Sequence, residues 1–233
     1  MDSNYSTTNY ESKAAQSALI KNVYLWMCAA LAVTGLTALA VSNNPGTVSL
    51  IFGSQFMFLG LIIAELVLVF FISARIDKIS FATATGLFML YSLINGLTLS
   101  VIFLVFSESS IAMTFFTTAG TFGLMSLYGY FTQKDLTSFG NLLFMLLIGL
   151  ILATVVNLIF FRDNNILYWI TTYAGIFIFV GLTAYDTQKI KQMLNGQELT
   201  EQAQKIALLG ALSLYLDFIN LFLYLLRIFG DRK

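Results

Sequence analysis

Seven predominantly apolar stretches of about 20 residues follow one another along the chain, near 23–42, 55–74, 81–106, 111–131, 139–160, 166–189 and 206–229. At 1.5 Å per residue, a helix of about 20 residues crosses a hydrocarbon core of about 30 Å. Within lipid, backbone polar groups must bond inside their own segment, so such runs read as helices. Short polar punctuation separates them: "SNNPG", with the only proline, then "RIDK", "SESS", "TQKD", "RDNN" and "KQMLNGQELTEQAQK". A very hydrophobic soluble bundle is the alternative. It fails because only 10% of the 233 residues are charged, against about 25% in a soluble domain. The expected fold is an all-α membrane protein of seven transmembrane helices.

Residues 1–20 are polar and rich in Ser, Thr and Asn, which reads as a mobile tail before a domain spanning 21–233. No signal peptide is expected, since the first apolar run starts late and is long. Net charge is zero and no basic run suggests nucleic acid. The single cysteine, Cys28, permits no disulfide framework, and the absence of histidine removes His-based triads and His-ligated metals. Neither an enzyme nor a resident cofactor is expected.

Orientation follows from the basic residues of the connections. With the N-terminus inside, the inner segments hold Lys13, Lys21, Arg75, Lys78, Lys134, Lys189, Lys191 and Lys205, while the outer loops hold Arg162. Arg227, Arg232 and Lys233 are discordant, because seven full spans place the chain end outside. A re-entrant last helix would return it to the inside; seven full spans are the preferred reading.

Three carboxylates lie where a bilayer would penalise them. Glu65 stands alone in "LIIAELVLVF", Asp217 in "SLYLDFINLF", and Asp186 is the only charge between Asp163 and Lys189. An Asp at the centre of a spanning helix costs roughly 2.5–3.5 kcal/mol on insertion scales, so such groups face the interior and mark pathways. Ser213, Asp217, Asn220 and Tyr224 are offset by four, three and four residues, hence share one helix face. Tyr91, Asn95 and Thr98 form a similar stripe on the third span. Such stripes either line a wet path or make interhelical hydrogen bonds. Glycine spacings at Gly120 and Gly123, and at Gly175 and Gly181, suggest close helix packing.

Asp186 falls near the inner end of the sixth span, and Asp217 about 11 residues, ~16 Å, into the seventh. Two buried carboxylates close together cannot both ionise cheaply, and they titrate as a unit. Arg75, ending the second span on the same side, is the candidate countercharge for Asp186. Alkaline conditions favour that ion pair; acid favours a proton shared between Asp186 and Asp217, releasing Arg75.

An aspartate pair on consecutive spans resembles the intramembrane aspartyl proteases. The likeness ends at Leu214, Tyr215 and Leu216, because that family has Gly-x-Gly before its second aspartate. Its Pro-Ala-Leu motif is impossible with Pro45 as the only proline. The segments "GLTAYDTQKIK" (181–191), "GALSLYLDFINLFLYLLRIFG" (210–230) and "ELVLVFFISARIDKIS" (65–80) instead resemble the Bax inhibitor family, over nearly the whole chain after the tail. That resemblance implies seven helices with the last one central, enclosed by the other six, and a pH-sensitive calcium leak. It places the family's aspartate pair on Asp186 and Asp217 and its arginine latch on Arg75. Glu65 and Arg227 become possible further pathway charges, beside Asn220, Ser213 and Tyr224. The two aspartates would hold Ca²⁺ transiently as the transported ion, with protons as regulator. A bacterial inner membrane with a cytoplasmic N-terminus is expected. The alternative function is a non-conducting regulator of a membrane protease or of a cell-death or stress partner.

Overall fold

The computed structural model describes the backbone of residues 2–160 and 165–233, and the side chains of 12–157 and 165–233. The loop "RDNN", with the Arg162 used for orientation, lies outside the described residues. The chain runs α1 (Asp2–Ser42), α2 (Pro45–Phe52), α3 (Gln55–Arg75), a 3-10 turn (Ile76–Lys78), α4 (Phe81–Leu99), α5 (Val101–Val105), α6 (Glu108–Phe131), α7 (Thr137–Phe160), α8 (Asn165–Met193) and α9 (Glu201–Phe229). Among the described residues there is no strand, and 7 helical segments are long and apolar enough to cross a membrane. The protein is an all-α, multi-pass membrane protein.

Local chemistry sets the breaks. Asn44 caps α2, its side chain accepting from Thr47 N at 3.2 Å, and Pro45 opens the helix where a missing N–H costs nothing. Ser80 caps α4 in the same way, through Thr83 N. The third span is divided at Ser100, whose hydroxyl donates back to the Leu97 carbonyl at 2.7 Å. Helix α1 begins at Asp2, so the segment read as a tail is helical up to the apolar run, without a break at residue 20. Ala15 and Leu19, at the end of that segment, are buried.

The chain divides into two compact units. The first comprises Met1–Ser107, Ile190–Tyr215 and Arg232–Lys233. At one of its ends Gln16 donates to the Lys191 carbonyl at 3.0 Å, Phe81 N donates to Glu201 Oε1 at 2.9 Å, and Gln202 donates to Asp77 at 2.7 Å. At the far end of α4 and α5, Lys233 N donates to the Val105 carbonyl and Lys233 Nζ to the Phe103 carbonyl, both at 2.9 Å. Phe106 and Arg232 form a β-bridge beside them. The end of the chain thus docks on the connection that follows the third span, opposite the end where α9 begins. Helix α9, 29 residues from Glu201 to Phe229, is long and apolar enough to cross a membrane, as seven full spans require.

The second unit comprises Glu108–Lys189 and Leu216–Asp231. Its core joins α7, α8 and α9 through Leu143, Leu150, Ile178, Phe179, Leu182, Leu221 and Leu225. A side chain at Gly175 would meet the Tyr224 ring at 2.6 Å and one at Gly181 would meet Leu143 at 2.5 Å, so these two glycines do admit close neighbours. Gly120 and Gly123 face open space, and the packing expected of them is not there. Within this unit Gly129 and Gly140 join Gly175 and Gly181 in close contact, Gly129 against the Ala184 backbone and Gly140 against the Tyr185 ring. Among the seven spans α9 is the most buried, at 61% of its apolar window against 6% for α3. Such burial is what a central helix requires; the enclosing arrangement itself is implied by the family resemblance.

Candidate functional site

The second unit brings Asp186 and Asp217 to one level. Helices α8 and α9 run antiparallel, and the ring of Phe179 stacks on that of Tyr224 at 5.9 Å. Leu182 and Leu221, one turn further along each helix, share the same core. Seven residues, two turns, from the stacked rings lead to Asp186 on one helix and Asp217 on the other, on the faces that already meet.

Asp217 is 5% exposed, and its Oδ2 accepts no hydrogen bond. An ionised carboxylate with an oxygen left over in the middle of a spanning helix is costly, and natural proteins keep such groups for a purpose. Asp186 is half-buried and lies seven residues before the end of α8, so it is two turns inside the helix. Its neighbours hold it firmly. Ala184 backs onto Gly129, and Tyr185 packs across Gly140. Thr187 donates to Ser126 Oγ at 3.4 Å. Gln188 spans the turn between α6 and α7, accepting from Leu136 N and donating to the Lys134 carbonyl, each at 2.8 Å. The same turn is closed from its own side by Asp135, which accepts from Thr137 N at 2.9 Å. That hydrogen bonding holds the exposed Asp135 carboxyl below its ordinary range.

The remaining α9 candidates separate. Asn220 donates to the Leu216 carbonyl of its own helix at 2.8 Å. Tyr224 lies against Phe179, and the Arg227 guanidinium sits 4.8 Å from the Tyr224 ring and 5.6 Å from that of Tyr168. Ser213 is half-buried and belongs to the first unit. Arg75 ends α3 there and is exposed.

The first unit holds a second polar cluster. Glu65 Oε1 on α3 lies 2.7 Å from the Thr98 hydroxyl, and Oε2 accepts from Asn95 Nδ2 at 3.3 Å. Tyr215 on α9 donates to Asn95 Oδ1 at 3.0 Å and lies 2.7 Å from Thr34 of α1, which also donates to the Ser92 carbonyl. Asn95 and Thr98 are therefore interhelical hydrogen-bonding groups, the second of the two readings of their stripe. Tyr215, Thr34 and Gln188 were not visible as site residues. A tyrosine or threonine in an apolar helix carries no signal of its own, and Gln188 sits in "TQK", which reads as the polar end of a span.

Among the described residues no group of three or more acidic, cysteine or histidine side chains converges on one point. Two carboxylates fall well short of the six to eight oxygens that a resident calcium takes.

Comparison with known proteins agrees with the motifs. The sequence model of the family described as "Inhibitor of apoptosis-promoting Bax1" matches residues 16–233. The chain is 50% identical over 227 residues to the inner membrane protein YbhL of Escherichia coli, covering 96% of this chain and 95% of that one. It is 45% identical over 224 residues to an uncharacterized protein of Borreliella burgdorferi, covering 94% and 96%. An uncharacterized protein of Rickettsia prowazekii is 40% identical over 232 residues. With the match running from the end of the polar segment to the last residue, the chain belongs to the Bax inhibitor family of multi-pass membrane proteins.

Proposed function

We propose that the protein is a pH-sensitive calcium leak of a bacterial inner membrane, with Asp186 and Asp217 as proton sensor and cation-attracting pair and Arg75 as latch. The observation that carries this reading is the buried, incompletely bonded carboxylate of Asp217 set level with Asp186. Two carboxylates in that arrangement share one proton in acid. As the pH rises the proton leaves, and a cation is needed to balance the second charge. Arg75 meets that need in the closed state by pairing with Asp186. When acid returns the proton to the pair, Arg75 is released, α3 moves and the path opens.

Carboxylate oxygens suit a hard divalent cation, and calcium itself is carried over from the family. Purified protein in liposomes loaded with a calcium dye tests the reading. Wild type should leak faster in acid than at alkaline pH. Asp217→Asn should lower the flux, and Arg75→Gln should raise the alkaline leak several-fold and flatten the pH response. Flux and pH response unchanged in Asp186→Asn and Asp217→Asn would sink the proposal.

A further inference from the structure

We propose that Glu65 is a second proton-binding site, separate from the aspartate pair, and that its carboxyl proton is held in a hydrogen bond to the Thr98 hydroxyl. The hydroxyl of Thr98 lies 2.7 Å from Glu65 Oε1 and 2.9 Å from the Asn95 carbonyl. A threonine hydroxyl has one proton to donate. If Glu65 is ionised, both neighbours are acceptors, and one of the two contacts is an oxygen facing an oxygen. A proton on Oε1 resolves both. Glu65 donates to Thr98, and Thr98 donates to the Asn95 carbonyl, a common back-bond for a helical threonine. The 2.7 Å separation is the usual length of an O–H···O bond. Asn95 Nδ2 continues to donate to Oε2, so every polar atom of the carboxyl group is engaged.

The surroundings within the first unit agree. The titratable side chains that act on the carboxyl's neighbourhood are the phenols of Tyr91 on α4 and Tyr215 on α9, both neutral when protonated. Asp217 follows Tyr215 by two positions on α9, and the remaining charges on these elements stand far along their helices. Arg75 is ten residues from Glu65 on α3, Lys205 is ten before Tyr215 on α9, and Lys21 is thirteen before Thr34 on α1. Ten residues of helix correspond to about 15 Å. Helix α4 carries no charged residue between Phe81 and Leu99. An ionised Glu65 would therefore stand mid-membrane with neutral donors alone, whereas a protonated one completes its hydrogen bonds.

Infrared spectroscopy of the protein in lipid reads the proton directly, through the C=O stretch of a protonated carboxyl. The experiment uses the Asp186→Asn/Asp217→Asn variant, which silences the other buried carboxylates. At neutral pH it should retain a protonated-carboxyl band, since the exposed Asp and Glu side chains are ionised. Adding Glu65→Gln should abolish that band. Thr98→Val, which keeps Glu65 and removes its acceptor, should shift the band to higher frequency. Absence of the band, a band that survives Glu65→Gln, or a band unmoved by Thr98→Val would each overturn the proposal. None of these readings depends on calcium flux, so the proposed leak and this site can fail independently.

Discussion

At the residue scale the sharpest contrast is between Tyr215 and Asp217, two positions apart on α9. The Tyr215 ring is fully buried and edge-on to Phe88 at 5.7 Å and Tyr91 at 5.8 Å, while its hydroxyl joins Thr34 to Asn95. Tyr215→Phe keeps the ring contacts and strands Asn95 Oδ1. It should cost about 1–3 kcal/mol, seen as a lower melting temperature in detergent. Asp217 is the opposite case. Its buried Oδ2 bonds to nothing, so Asp217→Asn removes the cost of burying a charge there at constant shape. The variant should melt higher than wild type while leaking less, the trade between stability and function expected of a strained site. A lower melting temperature would show that the carboxylate is instead a stabilising partner. Asp217 was legible in the sequence because a lone charge in an apolar run is itself the signal. Tyr215 was not, because its hydroxyl acquires meaning only when α1 and α4 are brought beside α9.

At the element scale the spans were legible because bilayer thickness imposes their length, and their order follows from the punctuation. The short α2 was not, since eight residues after a proline read equally well as a loop. Nor did the glycines announce themselves: the spacing of Gly120 and Gly123 looked like a packing motif, yet the close approach is at Gly129, against the Ala184 backbone. A helix backbone cannot retreat as a side-chain tip can. Gly129→Ala should therefore cost about 1–3 kcal/mol, the usual range for overpacking, while Gly120→Ala should be near neutral. Thermal unfolding of the two variants side by side decides it, and equal melting temperatures would refute the contrast. Gln188 offers a second test of how α8 is held. Gln188→Ala leaves Leu136 N and the Lys134 carbonyl without their partner and should loosen the α6–α7 turn, raising hydrogen exchange at Leu136. Asp135 reinforces that turn only while ionised. Its carboxyl is held low in the folded state, so its contribution is present above the unfolded value and is lost as the pH falls through the folded one. Exchange at Thr137 should accordingly rise in acid, and should already be raised at neutral pH in Asp135→Ala.

At the scale of the whole molecule, the contacts of the first unit give the charge count a geometry. Its one end gathers Gln16, the turn after α3 and the start of α9, and with them Lys13, Arg75, Lys78 and Lys191 at the nearby helix ends. Its other end holds the connection after α5 and the final Arg232 and Lys233. The basic residues beside short connections set orientation, so the first end should face the cytoplasm. The two basic residues at the chain end do not contradict this, because both are tied down, Lys233 by the Phe103 and Val105 carbonyls and Arg232 by its bridge to Phe106. The prediction can be read with a membrane-impermeant maleimide. In a Cys28→Ser background, Lys13→Cys should be labelled only in inverted vesicles and Gly230→Cys only in right-side-out ones. The paired cysteines also separate orientation from topology. Labelling of both from the same side would return the chain end to the side where α9 begins and refute seven full crossings. Labelling from opposite sides in the reverse sense would keep the seven spans and overturn the orientation.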